Sequence, residues 1–107
     1  MKSQVYFGDE EIKQAYNSLR NSKSKELYKW ISKAIDDLEK NAFYGIQIAK
    51  RLIPREWVLK FNIDNLWKYN LPKGWRLFYS VSNNKVVIIT IIIDWLSHKE
   101  YERRFKY

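Results

Sequence analysis

Four side chains in the second half of the chain have the types and spacing to act on a bound anion: Lys68, Arg76, His98 and Tyr101. In Trp75-Arg76-Leu77-Phe78-Tyr79-Ser80-Val81, an extended backbone puts Arg76, Phe78 and Ser80 on one face and Leu77, Tyr79 and Val81 on the other. One run upstream, Lys68 and Asn70 share a face opposite Trp67, Tyr69 and Leu71. If the runs are neighbouring strands, Lys68 and Arg76 make a concentrated positive spot, and a guanidinium there can fork onto phosphate oxygens. The competing reading pairs Arg76 with a carboxylate such as Asp94 or Glu102. His98, the lone histidine, falls in the first turn of an expected helix. The positive helix end disfavours the imidazolium, so a neutral ring able to exchange a proton near pH 7 is expected. Tyr101 lies about one turn on, where it could stack on a base or share in proton transfer; plain packing and a bare surface histidine are the simpler alternatives.

Basic and aromatic residues interleave from Lys50 to Arg76. Positive groups can track a phosphate backbone while rings stack on bases. Lys50, Arg51, Lys60, Lys73, Trp75 and Arg103 are therefore candidate nucleic-acid contacts. Net charge is +8, and it is uneven: residues 1–50 carry nine basic and seven acidic side chains, residues 51–107 eleven and five. That asymmetry suits a polyanionic partner, although a solubilising surface gives the same count.

Composition narrows the chemistry. A chain of 107 residues suits one domain over residues 1–107, and 46% apolar content can build a core. With no cysteine, disulfides, thiolate metal sites and cysteine nucleophiles are out; one histidine rules out a multi-histidine metal site. No cofactor is expected. Residues 1–20 lack an apolar targeting core, and the longest apolar run, Val86–Ile93, is interrupted by Thr90 and too short for a bilayer. A cytoplasmic protein with no membrane partner is the resulting expectation.

The elements that must position these groups read as follows. Residues 2–7 form a strand ended by Gly8. Asp9 caps a helix carrying Ile12, Ala15, Tyr16 and Leu19, and a second helix over 24–40 carries the stripe Leu27, Ile31, Ala34, Ile35 and Leu38. The two should form an antiparallel hairpin. Ile46–Ala49 alternates weakly, and Pro54–Phe61 could be a short helix with Pro54 in its first turn. Leu66–Leu71, Trp75–Val81 and Val86–Trp95 read as a meander with turns at Pro72-Lys73-Gly74 and Ser82–Lys85, the last strand being apolar enough to be central. Ser97 and Glu100 fit a capping box for a helix from His98 to about Phe105. The expected fold is α+β: a mostly antiparallel twisted sheet of about four strands, a helical hairpin on one face, and a short C-terminal helix. The other sheet face is expected to be open and flanked by basic residues.

The run Leu66-Trp67-Lys68-Tyr69-Asn70-Leu71, a short turn, and Gly74-Trp75-Arg76-Leu77-Phe78-Tyr79-Ser80-Val81 resemble the paired strands of the RelE/ParE toxin superfamily. Asn41-Ala42-Phe43-Tyr44-Gly45 with Lys50-Arg51-Leu52 resembles the stretch after its second helix, and His98-Lys99-Glu100-Tyr101 the C-terminal signature of HigB-like members. The resemblance implies a β-α-α-β-β-β-α toxin of a toxin–antitoxin pair that cleaves mRNA, often on the ribosome, without a metal, and that is neutralised by an acidic antitoxin protein. It matches Arg76 to a phosphate-binding arginine, Lys68 to a basic strand residue, and His98 and Tyr101 to acid–base or stacking positions. Asn70 stands where many members carry a second basic residue, Asp94-Trp95-Leu96 where some carry an arginine, and Ile53–Asp64 is longer than usual. The same scaffold also serves gyrase-poisoning toxins and non-catalytic RNA- or protein-binding modules.

Overall fold

A computed structural model describes residues 1–83 and 87–105. Local signals account for most elements. Strand β1 (Gln4–Phe7) leads into helix α1 (Glu10–Leu19), whose first turn is closed by the Asp9 carboxylate accepting from Ile12 N–H at 2.8 Å. Helix α2 (Lys25–Lys40) buries Leu27, Ile31, Ala34 and Leu38. Tyr16 of α1 stacks on Tyr28 of α2 and shares a hydrogen bond with Ser32, which locks the two helices together.

Next come strand β2 (Ile46–Gln47), a 3₁₀ turn over Lys50–Leu52, helix α3 (Arg55–Phe61) and strand β3 (Trp67–Asn70). Strands β4 (Arg76–Asn83) and β5 (Ile88–Leu96) follow, then helix α4 (His98–Phe105). The α4 capping box forms in both directions: Ser97 N–H donates to Glu100 and Glu100 N–H to Ser97 Oγ. Pro54 sits at the N-cap of α3, just before its first turn. Part of the expected Ser82–Lys85 turn, and Val86, lie outside the described residues; β4 itself continues to Asn83.

The sheet has five strands in the order β1-β5-β4-β3-β2. The expectation of about four strands is corrected by β2, whose two residues pair antiparallel with β3 and are too few to show a periodic pattern. Strand β5 lies between parallel β1 and antiparallel β4, which explains its nearly unbroken apolar run.

The expectation of an open second face is also corrected. Helices α1 and α2 cover one face through Leu27, Ile31, Leu38, Leu77, Tyr79 and Ile92. The other face carries its own core of Ile48, Trp57, Ile63, Leu66, Phe78, Ile93, Leu96, Tyr101 and Phe105. Short helices α3 and α4 supply its aromatic lid: Phe105 stacks on Phe78 with ring centroids 5.2 Å apart, and Trp57 meets Phe78 at 5.3 Å. Three large buried rings, Trp57, Tyr101 and Phe105, cover this face.

A bulge adjusts the register of the central pair. Phe78 faces Asp94 and Tyr79 faces Ile92, so Ile93 is the extra residue on β5. Ile93 therefore packs into the α3–α4 core while Trp95, two residues on, packs on the α1–α2 side. Asp94 is left half-buried, its carboxylate accepting from Trp95 N–H; desolvation raises its pKa above the ordinary aspartate value.

Candidate functional site

Strand register puts Asn70 opposite Arg76 and Lys68 opposite Phe78, so Lys68, Asn70, Arg76 and Phe78 share the α3–α4 face. Tyr101 of α4 is buried against that face, its ring 5.9 Å from Phe78 in a near-parallel stack. Both cations converge on this ring. The Arg76 guanidinium carbon lies 4.8 Å from its centroid and Lys68 Nζ 5.0 Å, while Lys68 Nζ also donates to the Tyr101 hydroxyl at 3.0 Å. Two positive groups thus share one neutral ring, near the end of the sheet where β3 turns into β4.

That turn sets the position of Arg76. Lys73 and Gly74 both adopt left-handed backbone, φ 58° and 81°, which is inexpensive only for the glycine. The Gly74 carbonyl accepts from Arg76 Nη1. A Cβ added at Gly74 would lie 2.9 Å from His98 Cβ and 3.8 Å from Arg76 Nη1. Arg76 and His98 therefore flank the same glycine, and the missing methyl is what lets the start of α4 close down on the turn. Arg76 makes no ion pair among the described residues, and its buried Nε has no hydrogen-bond partner. The alternative carboxylate partners are engaged elsewhere: Asp94 with Trp95 N–H, and Glu102 with His98 Nε2 one turn along α4. His98 is exposed and sits between two opposing fields, the positive end of its helix and the Glu102 carboxylate.

The structure brings together Lys68, Arg76, His98 and Tyr101 of the sequence-derived residues and spreads the others. Lys60 on α3 pairs with Asp9 at 3.5 Å, and exposed Lys73 reaches Glu26 of α2 at 4.0 Å. Trp75 packs on the α1–α2 side, away from the face that carries Arg76. Lys50 and Arg51 are exposed in the 3₁₀ turn. Arg103 is exposed on α4, lining a groove with Arg55, Glu56, Glu100 and Arg104; Arg104 is paired with Glu56 at 2.6 Å and lies over Trp57.

Two features escaped the sequence. Gly74 read as an ordinary turn glycine, and nothing in its neighbourhood announces contact with His98. Beside Lys68, a second groove is lined by Tyr44, Gly45, Ile46, Lys68, Tyr69 and Asn70, with Tyr44 56% and Ile46 54% exposed. Gly45 is required there, since a Cβ would fall 2.3 Å from the Lys68 carbonyl and 2.7 Å from the Tyr79 hydroxyl. That hydroxyl accepts from Gly45 N–H, and burial pushes its pKa up to about 12. Two adjacent loop aromatics, Phe43 and Tyr44, carry no periodic signal, so Tyr44 was indistinguishable from a packing residue. No family model, curated protein or solved structure matches the chain.

Proposed function

We propose that this protein is a metal-free endoribonuclease acting on mRNA, as the toxin of a toxin–antitoxin pair. What supports this reading above all is the meeting of Arg76 and Lys68 over the Tyr101 ring, with no carboxylate paired to either cation among the described residues. A half-buried guanidinium with no carboxylate beside it among the described residues keeps its charge for an anion that comes from outside.

In the proposed reaction the RNA 2′-oxygen attacks the adjacent phosphorus and the bond to the 5′-oxygen breaks, leaving a 2′,3′-cyclic phosphate and a 5′-hydroxyl. Arg76 and Lys68 stabilise charge on the non-bridging oxygens, worth about 10²–10³ in rate for one such donor. His98 takes the 2′ proton or delivers one to the leaving oxygen, worth about 10²–10⁴. Tyr101, its hydroxyl bonded by the Lys68 ammonium, assists that transfer; its ring, buried against Phe78 and Phe105, is not open to a base, which corrects the stacking alternative. An acidic antitoxin would mask the same cations.

The test is inducible expression with mapping of new mRNA 5′ ends, wild type against Arg76→Ala. Cleavage and growth arrest that vanish in the variant support the reading; full toxicity in a folded Arg76→Ala protein overturns it. The Glu102 contact of His98 favours a second reading, an RNA-binding module without chemistry. Salt-sensitive binding to RNA with no new 5′ ends would select it.

A further inference from the structure

We infer that the groove beside Lys68 is a nucleobase subsite, with Tyr44 as the stacking platform for the base of a nucleotide next to the phosphate held by Arg76 and Lys68; this rests on the proposed RNA reading. The platform is built in layers. Tyr69 donates its hydroxyl to Asp37 at 2.6 Å, and Lys33 pairs with the same carboxylate at 3.1 Å, so the Tyr69 ring is fixed. Tyr44 stacks on Tyr69 with centroids 5.4 Å apart and planes 21° from parallel. With 56% of Tyr44 still exposed, the stack ends at solvent on an unshared ring face.

Position and charge select the occupant. Ile46 pairs with Lys68 across β2 and β3, and Tyr44 lies two residues earlier, at most about 7 Å of chain. Lys68 lines the groove from β3 and its ammonium reaches Tyr101 on the α3–α4 face, while Tyr69, on which Tyr44 stacks, packs on the α1–α2 face, so the base and its phosphate would lie on either side of the β3 edge. Strand β2 pairs only with Trp67 and Lys68, so among the described residues the outer edge of β3 at Tyr69 and Asn70 has no strand beside it, and a chain can pass round it. An aromatic face on one side of a strand edge and a phosphate-directed ammonium on the other can serve one single strand of nucleic acid that rounds the edge: the ring takes the base and the cation takes the backbone.

The test uses a short single-stranded RNA with one 2′-deoxy nucleotide at the cleavage site, and the same RNA with one base deleted beside it. Binding to wild type, Tyr44→Ala, Tyr44→Trp and Arg76→Ala is read by fluorescence anisotropy. The expected result is that Tyr44→Ala weakens intact RNA about tenfold, that deleting the base costs wild type a similar factor, and that it costs Tyr44→Ala nothing further. Tyr44→Trp should restore both the affinity and the base effect. If wild type binds and Arg76→Ala weakens it, but neither Tyr44→Ala nor base deletion changes affinity, the subsite is overturned and the cation site stands. If wild type binds no RNA at low salt, the functional reading itself falls, and the subsite with it.

Discussion

Arg76→Ala separates what the arginine does for the fold from what it does for a ligand. The Arg76 guanidinium has two identifiable interactions and one unpaired donor. It lies 4.8 Å from the Tyr101 ring, worth about 0.5–2 kcal/mol. It donates to the Gly74 carbonyl, worth about 1.5–3 kcal/mol for a charged donor. Against these, its buried Nε has no partner, costing about 1–3 kcal/mol. The unpaired donor offsets about half of the favourable part, so the variant should lose about 1–2 kcal/mol and remain folded. Its effect on RNA cleavage should be far larger, about 10²–10³ in kcat. Arg76→Lys keeps the charge but loses the fork and should recover only part of that. Urea denaturation gives the first quantity, and single-turnover cleavage of a labelled RNA gives the second. A variant that is folded and cleaves at the wild-type rate refutes the assignment. One that loses 4 kcal/mol or more would instead mark Arg76 as a structural residue, contrary to the balance drawn from its contacts.

Tyr101 allows a similar separation. Tyr101→Phe keeps the stack on Phe78 and removes only the hydroxyl that accepts from Lys68, so stability should fall by about 1 kcal/mol while cleavage falls about 10²-fold. Tyr101→Ala opens the α3–α4 core and should cost about 3–5 kcal/mol in the same denaturation assay. Gly74→Ala should cost about 1–2 kcal/mol from backbone strain alone, and displacement of the start of α4 by the new methyl should shift the His98 ring resonances in an NMR spectrum. Asp94 supplies a pH signature. Its folded pKa lies above the unfolded value, so the folded state holds the proton longer and stability falls as pH rises from the ordinary aspartate range, about 3.9, through the folded pKa. Asp94→Asn removes that dependence: the difference in stability between wild type and variant should move in the variant's favour across that window and then level off.

Local chemistry settled much of this molecule before any packing was known. The Asp9 cap, the α2 stripe and the Ser97–Glu100 box are satisfied within a turn or two of backbone, so their residues announce them. Strand alternation likewise put Lys68 and Arg76 on a common face, because side-chain parity needs only the extended conformation and an approximate register. Other features belong to the assembled chain. That face is covered because α3 and α4 bring Trp57, Tyr101 and Phe105 onto Phe78; the one-sided Tyr101 and Phe105 are legible within α4, but elements so far apart in the chain carry no signal that they meet there. The bulge at Ile93 exchanges the faces of β5 residues without any unusual residue to mark it. Trp75, which reads as a base-stacking ring, packs against the helical hairpin. Contact between Gly74 and His98, and the exposure of Tyr44 beside Lys68, depend on where separate elements meet. Residue type and backbone period determined which groups could act and which way each would point; which of them share a site was decided by long-range packing, to which no local interaction is sensitive.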